Sequence, residues 1–192
     1  MSGDEESKVI ATEHLPEKEA VWTKLVKKIY KDPKGVTRTW ESAERTTRPK
    51  NCDIDGVGIV AILEKETVDK VVIELPAGLI DEGETAEQAA VRELKEETGY
   101  VSEVLETSPV MFNDPGFCNT NLRMVHVSVD MSLPENQDLK PELEENEFIE
   151  VFLVKLSHLW EECIRLEAEG YAIDARIANL AEGIEISKKF QL

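Results

Sequence analysis

Residues 78–100, GLIDEGETAEQAAVRELKEETGY, decide how the rest of the chain is read. Thr85 and Gln88 have the T-x-x-Q spacing of a capping box, and Gly99 is placed as a C-terminal cap, so the spacing predicts a helix beginning at Thr85. Its last turn breaks the local rules. Glu93, Glu96 and Glu97 crowd a terminus whose free carbonyls are already partly negative, and like charges one turn apart repel by roughly 0.2–0.5 kcal/mol each. At about 100° per residue, Glu93 and Glu97 share one face with Glu96 beside them. Oxygen donors so placed suit a hard divalent cation such as Mg²⁺, which takes a few carboxylates together with water and substrate phosphates. A cation turns their repulsion into attraction, and conflicts of this kind are expected at functional sites. On the three acids alone, a solvated acidic helix end is the simpler reading. Arg92 has the spacing to pair with Glu96, four residues on, or with an upstream acid such as Glu84. Ala86, Ala89 and Ala90 leave room near the same stripe for something bulky.

Before this helix, alternation from Val21 through the turn signal DPKG at 32–35 and on through TRTWESAERTT suggests a hairpin, preceded by a polar, irregular arm over about residues 1–18. VGIVAIL at 57–63 and KVVIEL at 70–75 read as short strands. After it, residues 101–112, LRMVHVSVD at 122–130 and FIEVFLV at 148–154 read as strands, with NDPG at 113–116 as a turn and 135–147 as a long acidic loop. Two helices, roughly 156–168 and 173–189, close the chain. The order favours α+β, or a three-layer sandwich, over a parallel doubly wound sheet.

The chain has 192 residues and a formal charge of −18, a field that repels phosphate backbones and anionic lipid, so neither nucleic acid nor a membrane is expected as a partner. A small anionic substrate would need divalent cations or well-placed arginines. Cys52, Cys118 and Cys163 lack any CxxC pairing, which argues against a disulfide framework or structural zinc. His14, His126 and His158 have no metal-ligand spacing. MSGDEESK carries neither a basic region nor an apolar run, so a soluble cytoplasmic protein is expected, with the nucleus left open.

Residues 78–100 resemble the Nudix box, G-x5-E-x7-R-E-U-x-E-E-x-G-U with U apolar or aromatic, at every fixed position: Gly78, Glu84, Arg92, Glu93, Leu94, Glu96, Glu97, Gly99 and Tyr100. TRTWESAERTTR at 37–48, ELPAGLIDEGET at 74–85, SPVMFNDPGF at 108–117, ENEFIEV at 145–151 and AIDARIANLAEGI at 172–184 resemble the ADP-ribose (ADP-sugar) pyrophosphatase branch, closest to its fungal and animal members. The resemblance implies a Nudix-type α/β/α sandwich over 51–192 with a mixed sheet. Residues 1–50 would be an N-terminal β-rich arm for dimerisation and adenine clamping. It implies Mg²⁺ (or Mn²⁺) on Glu93, Glu96, Glu97 and the Ala77 carbonyl, with Arg92 supporting the acids. Trp22 and Trp40 would sandwich the adenine, Glu41 would read its edge and Arg45 would touch phosphate. Gly116 and Phe117 would line the ribose end, and Glu147 would be a mobile catalytic or water-positioning carboxylate. On the residues alone, the tryptophans read as core or interface, Arg45 as surface, and any of Glu142, Glu144, Glu145 or Glu147 could serve on the acidic loop. The branch forms homodimers whose N-terminal arms cross to the partner.

One departure stands out. Between the strands matching VGIVAIL and VVIELPAG, the branch carries a further strand with a phosphate-clamping arginine, whereas here EKETVDK at 64–70 joins them directly, about fourteen residues short. The expected activity is Mg²⁺-dependent hydrolysis of ADP-ribose and related ADP-sugars to AMP and sugar phosphate. Its rivals are a catalytically weak or silent ADP-ribose-binding module and a diphosphatase for a different X, such as ADP-glucose, ADP-mannose or an oxidised nucleotide.

Overall fold

The computed structural model describes residues 10–59, 63–66, 71–145 and 147–191. The expected helix is α1, Ala86–Thr98, closed at its start by the reciprocal Thr85–Gln88 box and at its end by Gly99 in the left-handed region. Its buried residues, Ala86, Ala89, Ala90, Leu94, Glu97 and Thr98, recur at helical spacing, so one stripe faces inward. The bulk accommodated by the three alanines is the sheet core itself: they pack with Val57, Ile59, Ile80 and Val125.

The strands behind α1 form a mixed sheet in the order β6 (Ala77–Leu79), β3 (Gly56–Ile59), β9 (Asn121–Ser128), β7 (Glu103–Thr107), with β8 (Met111–Phe112) also on β9. β3 and β9 are parallel, and the other pairs are antiparallel. A second sheet runs β10 (Ala172–Ile173), β5 (Val71–Glu74), β4 (Leu63–Glu66), with β10 parallel to β5. Successive residues of a strand face opposite sides, so on β9 Val125 enters the core under α1 while Met124 packs toward the core of α2 (Leu159–Glu169) and α3 (Ala175–Phe190). The strands therefore lie between two helical layers, the α+β architecture expected.

The hairpin is β1 (Thr23–Lys31) and β2 (Thr37–Arg45), in register from Thr23 opposite Arg45 to Lys31 opposite Thr37. It meets the body where the Ala43 N–H donates to the Phe117 carbonyl at 2.9 Å and the Asn119 N–H donates to the Ala43 carbonyl at 3.3 Å.

Three expectations are corrected. Residues 148–154 form no strand ladder among the described residues; Phe152 and Val154 pack onto the α2–α3 core, so the apolar pattern serves side-chain packing. The predicted 101–112 strand is two strands, the first irregular between Val104 and Glu106. β10, too short to show periodicity, was missed. Residues 60–62 and 67–70, which include most of the shortened link, lie outside the described residues, as do 1–9 of the arm.

Leu94 is 2% exposed at the centre of the α1 core. Leu94→Ala is expected to lower the unfolding free energy by about 2–5 kcal/mol in urea titration, through lost burial and a residual cavity.

Candidate active site

α1, β6 and the ends of β3, β5 and β9 wall a cleft of about 630 Å³. Among its described lining residues are nine carboxylate side chains and three guanidinium groups, those of Arg45, Arg92 and Arg176. Glu93, Glu96, Glu97, Ala77 and Glu147 all line it, so the structure gathers the predicted metal and acid residues in one place.

Arg92 organises the acids. Its Nε and Nη2 donate to the two oxygens of Glu84 at 2.9 Å each, its Nη1 donates to Glu93 at 2.9 Å and Glu96 at 3.0 Å, and Nη2 also donates to the Leu79 carbonyl at 3.0 Å. Both sequence-level pairings of Arg92 are thus made at once, because a planar fork serves several acceptors. The hydrogen bonds from Arg92 hold the Glu84 carboxyl below its ordinary value. In return, Glu84 first, then Glu93 and Glu96, raise the Arg92 guanidinium above its own.

Glu97 is 2% exposed and is the only charged residue on the buried stripe of α1. A carboxylate buried there is costly unless satisfied, and one oxygen accepts from the Ala77 N–H at 3.2 Å. Gly78, the next residue, makes room for Glu93: a Cβ there would stand 1.8 Å from the Glu93 carboxyl carbon. The glycine of the box is required by the passage of a carboxylate over β6.

The donor set fits a hard cation, since every candidate ligand is an oxygen and the Gly78 backbone leaves the Glu93 carboxylate a seat. The acids do not converge by themselves. Among the described residues no three Asp, Glu, His or Cys side chains group closely enough by themselves to hold an ion; Arg92 holds Glu93 and Glu96, and Glu97 accepts from the Ala77 N–H. Water and substrate phosphate would supply the remaining oxygen ligands, as Mg²⁺ typically requires.

The acidic loop crosses the end of α1, where the Glu142 N–H donates to the Glu96 carbonyl at 2.7 Å and Lys95 lies 3.5 Å from the Glu142 carboxylate. Glu142, Glu144 and Glu147 all reach the cleft. The Glu147 carboxylate accepts from the Glu144 N–H at 3.1 Å, so in this conformation it closes its own turn.

Trp40 lies beside the turn expected at the ribose end: its Nε1–H donates to the Gly116 carbonyl at 3.0 Å, and Phe117 is exposed next to it. Glu41 is not brought to that face, since alternation along β2 turns it away from Trp40 and Ser42. Trp22 and Trp40 are also kept apart within one chain. Trp40 pairs opposite Lys28, so Trp22 stands six residues along the hairpin, about 20 Å away.

Sequence reasoning missed Arg176, Glu74, Asp55 and Asn121. Arg176 pairs with Glu74 at 2.9 Å, and Asp55 takes Arg48 through both oxygens at 2.7 and 2.6 Å, while the backbone N–H groups of Asp55 and Asn121 each donate to the other's side-chain oxygen. Asp174 followed by Arg176 at a helix start was a visible cue to the first pair. The Arg48–Asp55 pairing carried no local signal.

A NUDIX domain profile matches residues 55–177. The chain belongs to the Nudix family. It is 47% identical over 204 positions to the ADP-ribose pyrophosphatase of Saccharomyces cerevisiae, covering 98% of this chain and 88% of that one. It is 37% identical to the ADP-sugar pyrophosphatase of Mus musculus, over 83% of this chain and 79% of the other. A crystal structure of an ADP compounds hydrolase superposes with a TM-score of 0.55 at 20% identity, covering 96% and 92% of the two chains, and shows the Nudix fold alone. The yeast alignment is 12 positions longer than this 192-residue Nudix chain, so at least that many residues of the relative have no counterpart here.

Gly78→Ala must displace Glu93 and is expected to cut turnover about 100-fold while circular dichroism stays unchanged. Because Glu84 is held below its ordinary 4.5, the unfolded chain takes up that proton first, and the stability from the Arg92–Glu84 pair is complete above 4.5 and lost as pH falls through the folded value. Arg92→Met should therefore be less stable than the parent near neutral pH, with the difference shrinking in denaturation experiments below pH 4.5.

Proposed function

We propose that this Nudix chain hydrolyses the diphosphate of ADP-ribose and related ADP-sugars to AMP and a sugar phosphate, with Mg²⁺ or Mn²⁺ as cofactor. The observation that carries the reading is the charge of the cleft, nine carboxylates against three guanidinium groups among the described residues, in a chain 47% identical to an ADP-ribose pyrophosphatase. An anionic diphosphate cannot enter such a field without cations. Bound at Glu93, Glu96, Glu97 and the Ala77 carbonyl, a divalent cation supplies charge neutralisation to the diphosphate and lowers the pKa of the attacking water. Arg92 aims Glu93 and Glu96 through its Nη1 hydrogen bonds, and Glu97 is braced on the Ala77 amide. Arg45 reaches the cleft without a carboxylate partner among the described residues, which suits a contact to phosphate. Glu147, released from its turn, is a carboxylate able to hold the attacking water. The water oxygen joins one phosphorus, the bridging oxygen leaves with the other phosphate, and the water protons pass to carboxylate and solvent.

The adenine clamp needs two chains. A base stacked on both faces spans about 7 Å, far less than the separation of Trp22 and Trp40 along one hairpin, so a homodimer that exchanges N-terminal arms brings one tryptophan from each chain. Leu25 and Ile29 are exposed on the face of the hairpin that carries Glu41, and Trp40 is exposed on the other, so both faces offer apolar surface for that association, and Glu41 would then read the base from the partner. A cytoplasmic location, with access to the nucleus, suits such a substrate.

A second reading, a weak or silent ADP-ribose-binding module, is favoured by one observation, the residues of the yeast relative that have no counterpart here. The two readings separate in one experiment. AMP release from ADP-ribose with Mg²⁺ is expected to fall at least about 100-fold in Glu97→Gln. An equal rate in the variant rejects the metal site, and binding without turnover in the unaltered chain selects the silent module.

A further inference from the structure

Arg176 and Glu74 face the same cleft, from the first turn of α3 and the last residue of β5. The Arg176 Nη2 donates to Glu74 at 2.9 Å and its Nε donates to Asp174 at 2.7 Å. Asp174 caps α3 by accepting from the Arg176 N–H at 2.9 Å, and its own N–H donates to the Ile73 carbonyl at 2.9 Å. The start of α3 is thus fastened to the end of β5 through backbone and side chain together.

Three residues beyond Glu74 the chain reaches Ala77, whose N–H braces the buried Glu97. The link has little slack. Leu75 is buried, Pro76 has a fixed φ, and the Pro76 carbonyl accepts from the Ile59 N–H at 2.6 Å. A displacement of Glu74 therefore arrives at Ala77 nearly undamped.

We propose that Arg176 is a positioning residue: by holding Glu74 it fixes the Leu75–Ala77 segment, so that Ala77 keeps Glu97 in the orientation that binds the cation. The inference rests on the cation-dependent reading of the cleft. Partners directly behind a metal ligand typically contribute 10–100-fold to affinity or activity, and Arg176 acts from further back, so an effect at the low end of that range is expected on binding.

The test is Mn²⁺ calorimetry on the full chain, comparing the unaltered protein with Arg176→Lys, which keeps the charge but loses the fork, and with Glu74→Gln. Arg165→Ala, which breaks two surface ion pairs on α2, is the control for general loss of stability. The expected result is an Mn²⁺ affinity about tenfold weaker in Arg176→Lys and Glu74→Gln, unchanged in Arg165→Ala, with kcat falling and KM for ADP-ribose held within about twofold. Should Arg176→Lys fail to fold, Glu74→Gln decides by the same readouts. A folded variant with unaltered Mn²⁺ affinity overturns the inference and leaves the proposed function standing. Absence of Mn²⁺ affinity in the unaltered chain overturns both.

Discussion

The site depends on one guanidinium. Arg92 donates hydrogen bonds to three carboxylates and the Leu79 carbonyl, and so joins the loop before α1, the helix itself and β6 at a single point. Without that charge, Glu84, Glu93 and Glu96 would repel across the space they share, on a helix end already negative. A lysine could not replace it, since the contacts need a planar fork with several fixed donors rather than a point charge. The acids at the end of α1 are tolerated because they are held in place before any ligand arrives.

That arrangement settles a tension in the cleft. Two of the three guanidinium groups lining the cleft are committed by hydrogen bonds to protein carboxylates: Arg92 to three and Arg176 to two. Of the three, Arg45 is the one that lines the cleft without a carboxylate partner among the described residues. A site of this composition makes affinity for substrate and affinity for metal two expressions of one balance. Extra positive charge in the cleft would weaken the cation site, and extra negative charge would repel the nucleotide.

Backbone constraint complements the charges. Gly78 is needed because Glu93 passes where a Cβ would be, and Gly99 because its φ is 79° and a Cβ would approach the Lys140 N–H group at 2.7 Å. One glycine brings a carboxylate over a strand, and the other brings the acidic loop over the helix end. The same short segment thereby presents both the fixed acids of α1 and the acids of the loop to one cleft.

How much of this was legible depended on whether the cause lay within a few residues or across the fold. The limits of α1, its capping box, the hairpin and the acid cluster follow from local spacing, and the sequence alone determined them. So did the pairing options of Arg92, because helix geometry places its partners one turn away. Tertiary structure decided the rest. The burial of Glu97 against the Ala77 amide, the grip of Arg176 on Glu74 102 residues away, the bidentate Arg48–Asp55 pair and the separation of Trp22 from Trp40 have no periodic signature. They arise where strands and helices distant in sequence meet, and the energy that selects them, desolvation offset by an ion pair or a hydrogen bond, exists only once the surrounding layers have excluded water.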